Sequence, residues 1–200
     1  MARTKTFDRE LALENAMNLF WKKGYHDTSM QDLVDNVGLN RSSIYDTFGD
    51  KYGLFLSTLE LYSDKHTKVR DESLANAAAK ASSLDLEKFL RSFLNSIIEN
   101  NKRGECSNGC FMVNTSIELA AHDERIRTIV QANMEAFVEN FKLLFESFQE
   151  SGQLSKDKDP EALSNFLYAA TSGMKVISRT IENRKRLEKI AQTTVSAILT

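Results

Sequence analysis

Four residues within a run of five carry side chains whose types and spacing suit contact with nucleic acid. They are Arg41, Ser42, Ser43 and Tyr45, with Ile44 between them. An arginine can donate two hydrogen bonds to the edge of a guanine, and small hydroxyl side chains let a helix approach base edges closely. On a helix, Ile44 would face inward while its neighbours face outward. This run therefore predicts a short helix whose outer face contacts bases.

The segment before this run has the pattern of a helix that stops at a tight turn. Four apolar residues follow the i, i+3, i+4, i+7 spacing, namely Met30, Leu33, Val34 and Val37. Gly38 comes next, and glycine accepts the positive φ that a tight turn needs. In a helix-turn-helix the second of two such helices lies in the major groove. The region from about Ser29 to Phe48 is predicted to be one.

Apolar residues recur with a helical period along the rest of the chain, and glycines or a proline mark helix ends. No segment alternates with a period of two for long enough to indicate a strand. The sequence therefore predicts an all-α fold of about nine helices. After the first three, the helices are predicted at about residues 50–70, 84–100, 111–121, 123–150, 160–181 and 184–199.

Composition limits the class of protein but does not by itself indicate a DNA partner. The net charge is −2, and residues 1–51 hold seven Lys/Arg against eight Asp/Glu. Binding of DNA would rely on local placement of Arg3, Lys5, Arg41 and Lys51 and on helix N-termini. No apolar run reaches 18 residues, so no membrane span is predicted. The start lacks the pattern of a secretory signal, so a cytoplasmic location is expected.

Two runs of sequence resemble the N-terminal signature of the TetR (tetracycline-repressor-like) family of transcription regulators. They are GYHDTSMQDL, beginning at Gly24, and VGLNRSSIYDTFGDKYGLF, beginning at Val37. The resemblance covers about residues 7–60. It implies a three-helix DNA-binding head in residues 1–50 and a helical effector-binding and dimerisation body in residues 51–200. It also implies a homodimer bound to a palindromic double-stranded operator.

Carried over by position, the resemblance implies six DNA-contacting residues: Thr28, Arg41, Ser42, Ser43, Tyr45 and Lys51. Tyr45 and Lys51 would contact phosphate. Two residues depart from the family pattern. Val34 stands where alanine is usual, which predicts slightly wider packing of the two helices. Asp46 stands where histidine or tyrosine is frequent, and an acid near phosphates is unfavourable unless it faces a cytosine amine or a basic neighbour.

The C-terminal part is rich in phenylalanine, and this indicates either an effector pocket between helices or a plain aromatic core. A pocket would be walled by apolar side chains with a few adaptable or hydrogen-bonding ones. The candidate lining residues are Phe89, Phe93, Met112, Met134, Phe137, Phe141 and Tyr168. The effector would be a small molecule that the sequence does not identify, and no cofactor or metal is predicted.

Two cysteines, Cys106 and Cys110, lie in a polar segment just before a predicted helix. A helix N-terminus favours the thiolate, which is the reactive form of cysteine. The segment GCFMVN, beginning at Gly109, resembles a subgroup of the same family that includes regulators sensing oxidants or electrophiles through cysteine. The alternative is that Cys110 is a small buried apolar residue and Cys106 an incidental loop thiol.

These observations together predict a repressor that leaves its operator when an effector acts on the C-terminal body. The apolar stripes of the last two helices would pair across a two-fold axis as a four-helix bundle. An enzyme is not predicted, because no paired His/carboxylate spacing, phosphate-binding glycine loop or zinc signature is present. A helical ligand-binding or adaptor protein without operator binding is the open alternative, to which Asp46 and the acidic head point.

Overall fold

The computed structural model describes residues 8–100, 108–180 and 183–200, and their regular elements are all helical. This confirms the all-α class. No helix within these ranges is long and apolar enough to cross a membrane. The described ranges contain ten α-helices: α1 (Arg9–Lys23), α2 (Met30–Val37), α3 (Arg41–Phe48), α4 (Lys51–Tyr62), α5 (Lys68–Ala78), α6 (Leu86–Asn100), α7 (Phe111–Leu119), α8 (Glu124–Glu150), α9 (Pro160–Thr180) and α10 (Arg184–Leu199).

The difference between about nine predicted helices and ten observed ones arises after α4. A single helix was expected over residues 50–70, but α4 ends at Tyr62 and a π-helical segment, Ser63–Thr67, follows it. The next helix, α5, begins at Lys68. A π-helical turn leaves the i→i−4 hydrogen-bond pattern, so it divides what the apolar periodicity alone presents as one helix.

The chain forms two compact units that divide between Thr67 and Lys68. In the first unit, α1 packs against α2 and α4, and α3 packs against α4. Phe20 of α1 and Phe55 of α4 meet edge to face, with ring centroids 5.1 Å apart. The structure thus groups α4 with α1–α3. The functional boundary after residue 50, between DNA-binding and effector-binding segments, stays a prediction.

In the second unit, the long helix α8 packs against α5, α7 and α9, while α10 packs against α6 and α9. The centre of this unit is an aromatic and aliphatic core that includes Phe141, Phe145 and Phe148, all fully buried. Burying a phenylalanine stabilises a fold by roughly 1.5–3 kcal/mol. The spacing of these phenylalanines therefore concentrates the strongest stabilising contacts of α8, the longest helix, along one of its faces.

One side chain of the α8–α9 connection holds the turn before α6. The Gln153 amide nitrogen donates hydrogen bonds to the carbonyls of Ala81 (2.7 Å) and Leu84 (2.6 Å). The Leu86 backbone N–H donates to the Gln153 carbonyl oxygen at 3.1 Å. Three backbone groups with no partner in a helix ladder are thereby satisfied by a single residue.

Candidate nucleic-acid interface

The start of α2 is fixed by a reciprocal pair of hydrogen bonds and an ion pair. The Asp32 N–H donates to the Ser29 hydroxyl oxygen at 3.0 Å, and the Ser29 N–H donates to the Asp32 carboxylate at 2.8 Å. This is a capping box. The Lys23 ammonium of α1 lies 2.8 Å from the same carboxylate. These contacts with Lys23 and Ser29 hold the pKa of Asp32 well below its ordinary value.

We expect the Asp32 contacts to make the first unit sensitive to acid. Because its pKa is lowered in the folded chain, Asp32 stabilises the fold above its ordinary, unfolded pKa and loses that effect as the pH falls further. Asp32→Asn is expected to lower the Tm at pH 7 and to reduce the fall in Tm between pH 5 and pH 2. Thermal melts followed by circular dichroism at each pH would measure this.

The control for that substitution is Asp35→Asn, on the same helix. Asp35 accepts a hydrogen bond from the Gln31 side chain at 2.8 Å but belongs to neither the capping box nor the Lys23 pair. It should leave both the Tm at pH 7 and its acid dependence near those of the unsubstituted chain. Equal behaviour of the two variants would contradict the assigned role of Asp32.

The turn between α2 and α3 has the backbone that the sequence predicted. Gly38 ends α2 in the left-handed region, with φ 77° and ψ 15°. Leu39 is buried beneath the turn. The Ser43 N–H donates to the Asn40 side-chain oxygen at 2.8 Å, which caps α3. Two short capped helices joined through Gly38 confirm the predicted helix-turn-helix.

The third helix presents the predicted polar face outward. Ile44 is fully buried and fixes α3 to the unit, whereas Arg41 and Ser42 are exposed and Tyr45 is 42% exposed. Ser43 is half-buried. The Arg41 guanidinium carbon lies 6.0 Å from the centre of the Tyr45 ring, so the two side chains share one side of the helix. Arginine beside a phenol and hydroxyls supplies donors for base edges and for phosphate oxygens.

Asp46 lies on the same exposed face. The Ser42 hydroxyl donates to its carboxylate at 3.3 Å. This contact uses the Ser42 proton within the helix, so donation of a hydrogen bond from Ser42 to DNA would require the hydroxyl to turn away from Asp46. The other departure from the family pattern, Val34, is half-buried in α2. Wider packing of the two helices at Val34 stays a prediction.

The predicted DNA contact at Thr28 needs correction. Thr28 is fully buried, and its hydroxyl donates to the Gly24 carbonyl at 2.6 Å. Gly24 ends α1 with φ 86°, and the Thr28 hydrogen bond closes the turn between α1 and α2. The side chain is therefore a structural tie within the unit and is not presented to a ligand.

Lys51 is the first residue of α4, directly after the cap Asp50. It is half-buried, and its ammonium lies 4.3 Å from the centre of the Tyr25 ring. A cation over an aromatic face is held in place by the ring quadrupole. The structure therefore positions the charge of Lys51 beside the N-terminus of α4, a location that favours an anion.

Gly53 is a residue of this region that the sequence analysis missed. The Gly53 N–H donates to the Asp50 carboxylate at 2.7 Å within the first turn of α4. A Cβ at Gly53 would lie 2.1 Å from the carbonyl oxygen of Phe48, which is the last residue of α3. Glycine is required here because the end of α3 runs against the first turn of α4. A glycine inside a predicted helix was the available signal.

The predicted effector-pocket residues fall into two groups. Four of them form a chain of ring contacts: Phe93 lies 5.0 Å from Phe141, Phe141 4.6 Å from Phe137, and Phe137 5.3 Å from Tyr168. We call these four the aromatic cluster. Phe89 packs on the same core. Among the remaining candidates, Met112 is buried in α7 and Met134 is half-buried in α8, and both lie outside that core.

Of the two cysteines, Cys106 lies outside the described residues. Cys110 is 8% exposed and stands immediately before α7 as its N-cap, without a side-chain cap hydrogen bond. Its carbonyl accepts a hydrogen bond from the Asn114 N–H at 2.9 Å. The position before a helix agrees with the sequence prediction. A redox role for either cysteine stays a prediction.

Two protein-family models match the chain. The model for bacterial regulatory proteins of the tetR family matches residues 12–58, which contain α2 and α3. The model described as the tetracyclin repressor-like C-terminal domain matches residues 86–194. The first match lies within the first structural unit, and the second match lies within the second unit.

Individual relatives agree with these matches. The chain is 27% identical over 200 residues to the uncharacterized HTH-type transcriptional regulator YezE of Bacillus subtilis, covering 99% of this chain and 100% of YezE. It is 28% identical to the HTH-type transcriptional repressor ComR of Escherichia coli, covering 96% of this chain and 90% of ComR. A cysteine mutant of the regulator CifR, solved with 26 bp double-strand operator DNA, is 25% identical with a TM-score of 0.83, covering 98% and 99% of the two chains.

Proposed function

This chain belongs to the TetR family of bacterial transcriptional regulators, and from that premise we propose that it is a dimeric repressor released from its operator by a small molecule. It is a DNA-binding regulator of transcription with a helix-turn-helix. The observation that carries the DNA-binding part is the exposed polar face of α3, held outward by the buried Ile44. ComR is described as a repressor, and CifR was solved on operator DNA.

We assign the DNA contacts to Arg41, Ser42, Ser43, Tyr45 and Lys51. Arg41 begins α3 and would read a base edge in the major groove, because its guanidinium can bind guanine through two hydrogen bonds. The Tyr45 phenol and the Lys51 ammonium would bind phosphate oxygens and set the orientation of α3. The exposure of Arg41, Ser42 and Tyr45 supports this assignment, as does the position of Lys51 at the N-terminus of α4, which favours anions.

We expect Arg41→Ala to weaken specific operator binding by about 1–3 kcal/mol, roughly 5- to 150-fold, which is the contribution of one bidentate base contact. The operator would first be selected from genomic fragments by the unsubstituted protein. Titration of a labelled fragment at one fixed salt concentration would then give the Kd of each variant.

Arg91→Ala is the matched control, because Arg91 is an exposed arginine of α6 that pairs with Glu87 at 2.7 Å. Both variants remove one positive charge, so a non-specific charge effect would weaken binding equally. Equal losses, or no loss for Arg41→Ala, would contradict base recognition by Arg41. Failure of the unsubstituted protein to select any genomic fragment would favour the adaptor alternative.

The proposed dimer rests on an exposed stripe of α9. Residues at helical spacing face away from the unit and are small or apolar: Ala162, Phe166, Ala169 and Val176. Phe166 is 44% exposed and Val176 39% exposed in the single chain. Two copies of the stripe could pack across a two-fold axis, as isologous interfaces require. A palindromic operator then needs the two recognition helices about 34–36 Å apart.

Release would follow from the preference of the effector for one of two states. In one state the two recognition helices fit both half-sites of the operator, and in the other they do not. An effector that binds the second state more tightly shifts the protein towards it, to an extent set by the ratio of its two affinities. The aromatic cluster, between α6, α8 and α9, supplies an apolar wall suited to a small organic ligand. Operator binding measured with and without a ligand library would identify the effector.

An oxidant or electrophile acting at cysteine is the alternative trigger that the sequence suggested. The position of Cys110 at the start of α7 supports it, since a helix N-terminus favours thiolate. Its burial restricts access, so the reagent would have to be small or the segment would have to open. The small-molecule trigger is preferred because the aromatic cluster is already assembled.

A further inference from the structure

Arg70 of α5 places a guanidinium against the aromatic core of the second unit. Its side chain is only 20% exposed, and its central carbon lies 5.2 Å from the centre of the Phe137 ring. Phe137 belongs to the aromatic cluster. A charged side chain in such a setting is costly to desolvate unless it is fully paired.

The pairing of Arg70 within the described chain is incomplete. Its Nε donates to the Asp71 carboxylate at 2.8 Å. Its buried Nη2 lies 2.7 Å from the same carboxylate oxygen but makes no hydrogen bond of acceptable geometry with any described residue. A guanidinium has five N–H donors in a fixed plane. One carboxylate oxygen shared by two nitrogens therefore leaves donor capacity beside the aromatic cluster.

A second polar side chain, Tyr168, contacts the same phenylalanine. The Tyr168 ring touches the Phe137 ring, with centroids 5.3 Å apart. Burial, with a smaller contribution from the nearby Cys110, raises the pKa of the Tyr168 phenol above its ordinary value, while a hydrogen bond with Ser172 and the nearby charge of Arg70 act in the opposite direction. The phenol is thus a neutral donor within the electrostatic reach of Arg70.

A cation and a phenol at the edge of an aromatic wall form a specific combination. The aromatic cluster would contact a flat apolar group, and the guanidinium and phenol would donate to an anionic one. Charge-assisted hydrogen bonds from arginine to a carboxylate are strong and have a fixed direction. Sites for small ligands usually consist of such an apolar wall with a few convergent polar groups.

We propose that the effector is a small aromatic carboxylate, bound by Arg70 and Tyr168 with its ring against Phe137. This rests on the proposed function, since it names the chemical class of the ligand that acts on the second unit. Arg70 supplies the charge recognition, Tyr168 a second donor, and the cluster the apolar contact.

A second place in this unit also holds arginines but suits an anion less well. A surface groove of about 310 Å³ is lined by residues of α6 and α10, including Arg91 and Arg184. Arg91 pairs with Glu87 at 2.7 Å, and Arg184 pairs with Glu99 at 2.7 Å. Both arginines lie in an exposed, screened setting, where an ion pair with an anion contributes little.

The test compares ligands that differ only in charge. Calorimetric titration of the full-length protein would use benzoate, phenylacetate and cinnamate, each against its neutral amide. At least one carboxylate should bind about tenfold or more tightly than its amide, as a charge-assisted hydrogen bond implies. Arg70→Gln should remove that preference, Tyr168→Phe should reduce it, and the control Arg91→Gln should leave it unchanged.

Equal binding of every acid and its amide, or a preference that survives in folded Arg70→Gln, would overturn the proposal. If circular dichroism shows that Arg70→Gln does not fold, Arg70→Lys replaces it, because lysine keeps the positive charge and is expected to retain a weakened preference for the carboxylate. The proposal would also be overturned if folded Arg70→Lys lost the preference completely while Tyr168→Phe left it unchanged. Operator binding is measured separately. A carboxylate that binds through Arg70 without displacing the operator contradicts the release mechanism and leaves the anion site standing.

Discussion

Gly53→Ala is expected to weaken operator binding strongly, although the substitution adds only one methyl group. Alanine ordinarily stabilises a helix interior by about 1 kcal/mol relative to glycine. Here its Cβ would lie 2.1 Å from the Phe48 carbonyl oxygen, which is backbone and cannot rotate away. The first turn of α4 and the end of α3 must therefore separate by at least about 1.3 Å to reach the 3.4 Å at which ordinary van der Waals contact begins.

That separation acts on the recognition helix directly, because Phe48 is the last residue of α3. We expect the free energy of unfolding to fall by about 1–3 kcal/mol, the usual cost of overpacking. Displacement of α3 should remove at least two base contacts of about 1–3 kcal/mol each, so the Kd for the operator should rise about 100-fold or more. Denaturant unfolding and operator titration would measure the two effects.

Glu60→Ala is the control for this substitution. Glu60 is an exposed residue two turns further along α4, so alanine there changes the same helix without a steric conflict. It should unfold at nearly the same denaturant concentration as the unsubstituted chain and bind the operator equally well. An operator Kd for Gly53→Ala within threefold of the unsubstituted value would show that α3 and α4 tolerate the separation.

Phe166→Glu is the second substitution with a large expected effect, and it should convert the proposed dimer to monomers. A two-fold axis would place both copies of Phe166 in one interface, so one substitution introduces two charges. Burying an unpaired carboxylate costs several kcal/mol per ion. We therefore expect the dimer dissociation constant to rise at least about 1000-fold.

Sedimentation velocity over a range of protein concentrations would measure the dissociation, and circular dichroism would verify that the helical fold is retained. Operator binding should become weak and should match the affinity for a single half-site. Leu143→Glu is the control, because Leu143 is 48% exposed on α8 but lies outside the α9 stripe. A Phe166→Glu protein that stays dimeric at micromolar concentration would exclude the α9 stripe as the interface.

The helix-turn-helix was predictable because its determinants are local. The positive φ at Gly38 and the inward position of Ile44 each follow from residue type and spacing over fewer than ten residues. Thr28 was misassigned for a physical reason. Its position in the family pattern gives no information on whether the hydroxyl points outward or, as here, closes the preceding turn through Gly24.

The second unit was predictable in its helices but not in the arrangement of its polar groups. Periodicity identified α6, α8 and α9, and residue type alone marked Phe93, Phe137 and Tyr168 as candidate lining residues. Arg70 lies in a weakly patterned segment of α5, and its contact with Phe137 joins residues 67 positions apart in sequence. Such a contact depends on how α5 packs against α8, for which no local signal exists.

The three hydrogen bonds made by Gln153 make the turn before α6 sensitive to deamidation of this one side chain. Hydrolysis of the side-chain amide to a carboxylate would replace the nitrogen that donates to Ala81 and Leu84 with an oxygen that cannot donate. An attractive contact with two carbonyls would then become a repulsive one without any change in shape. Hydrolysis of this one amide would therefore weaken the turn before α6 while leaving every other residue of the chain unchanged.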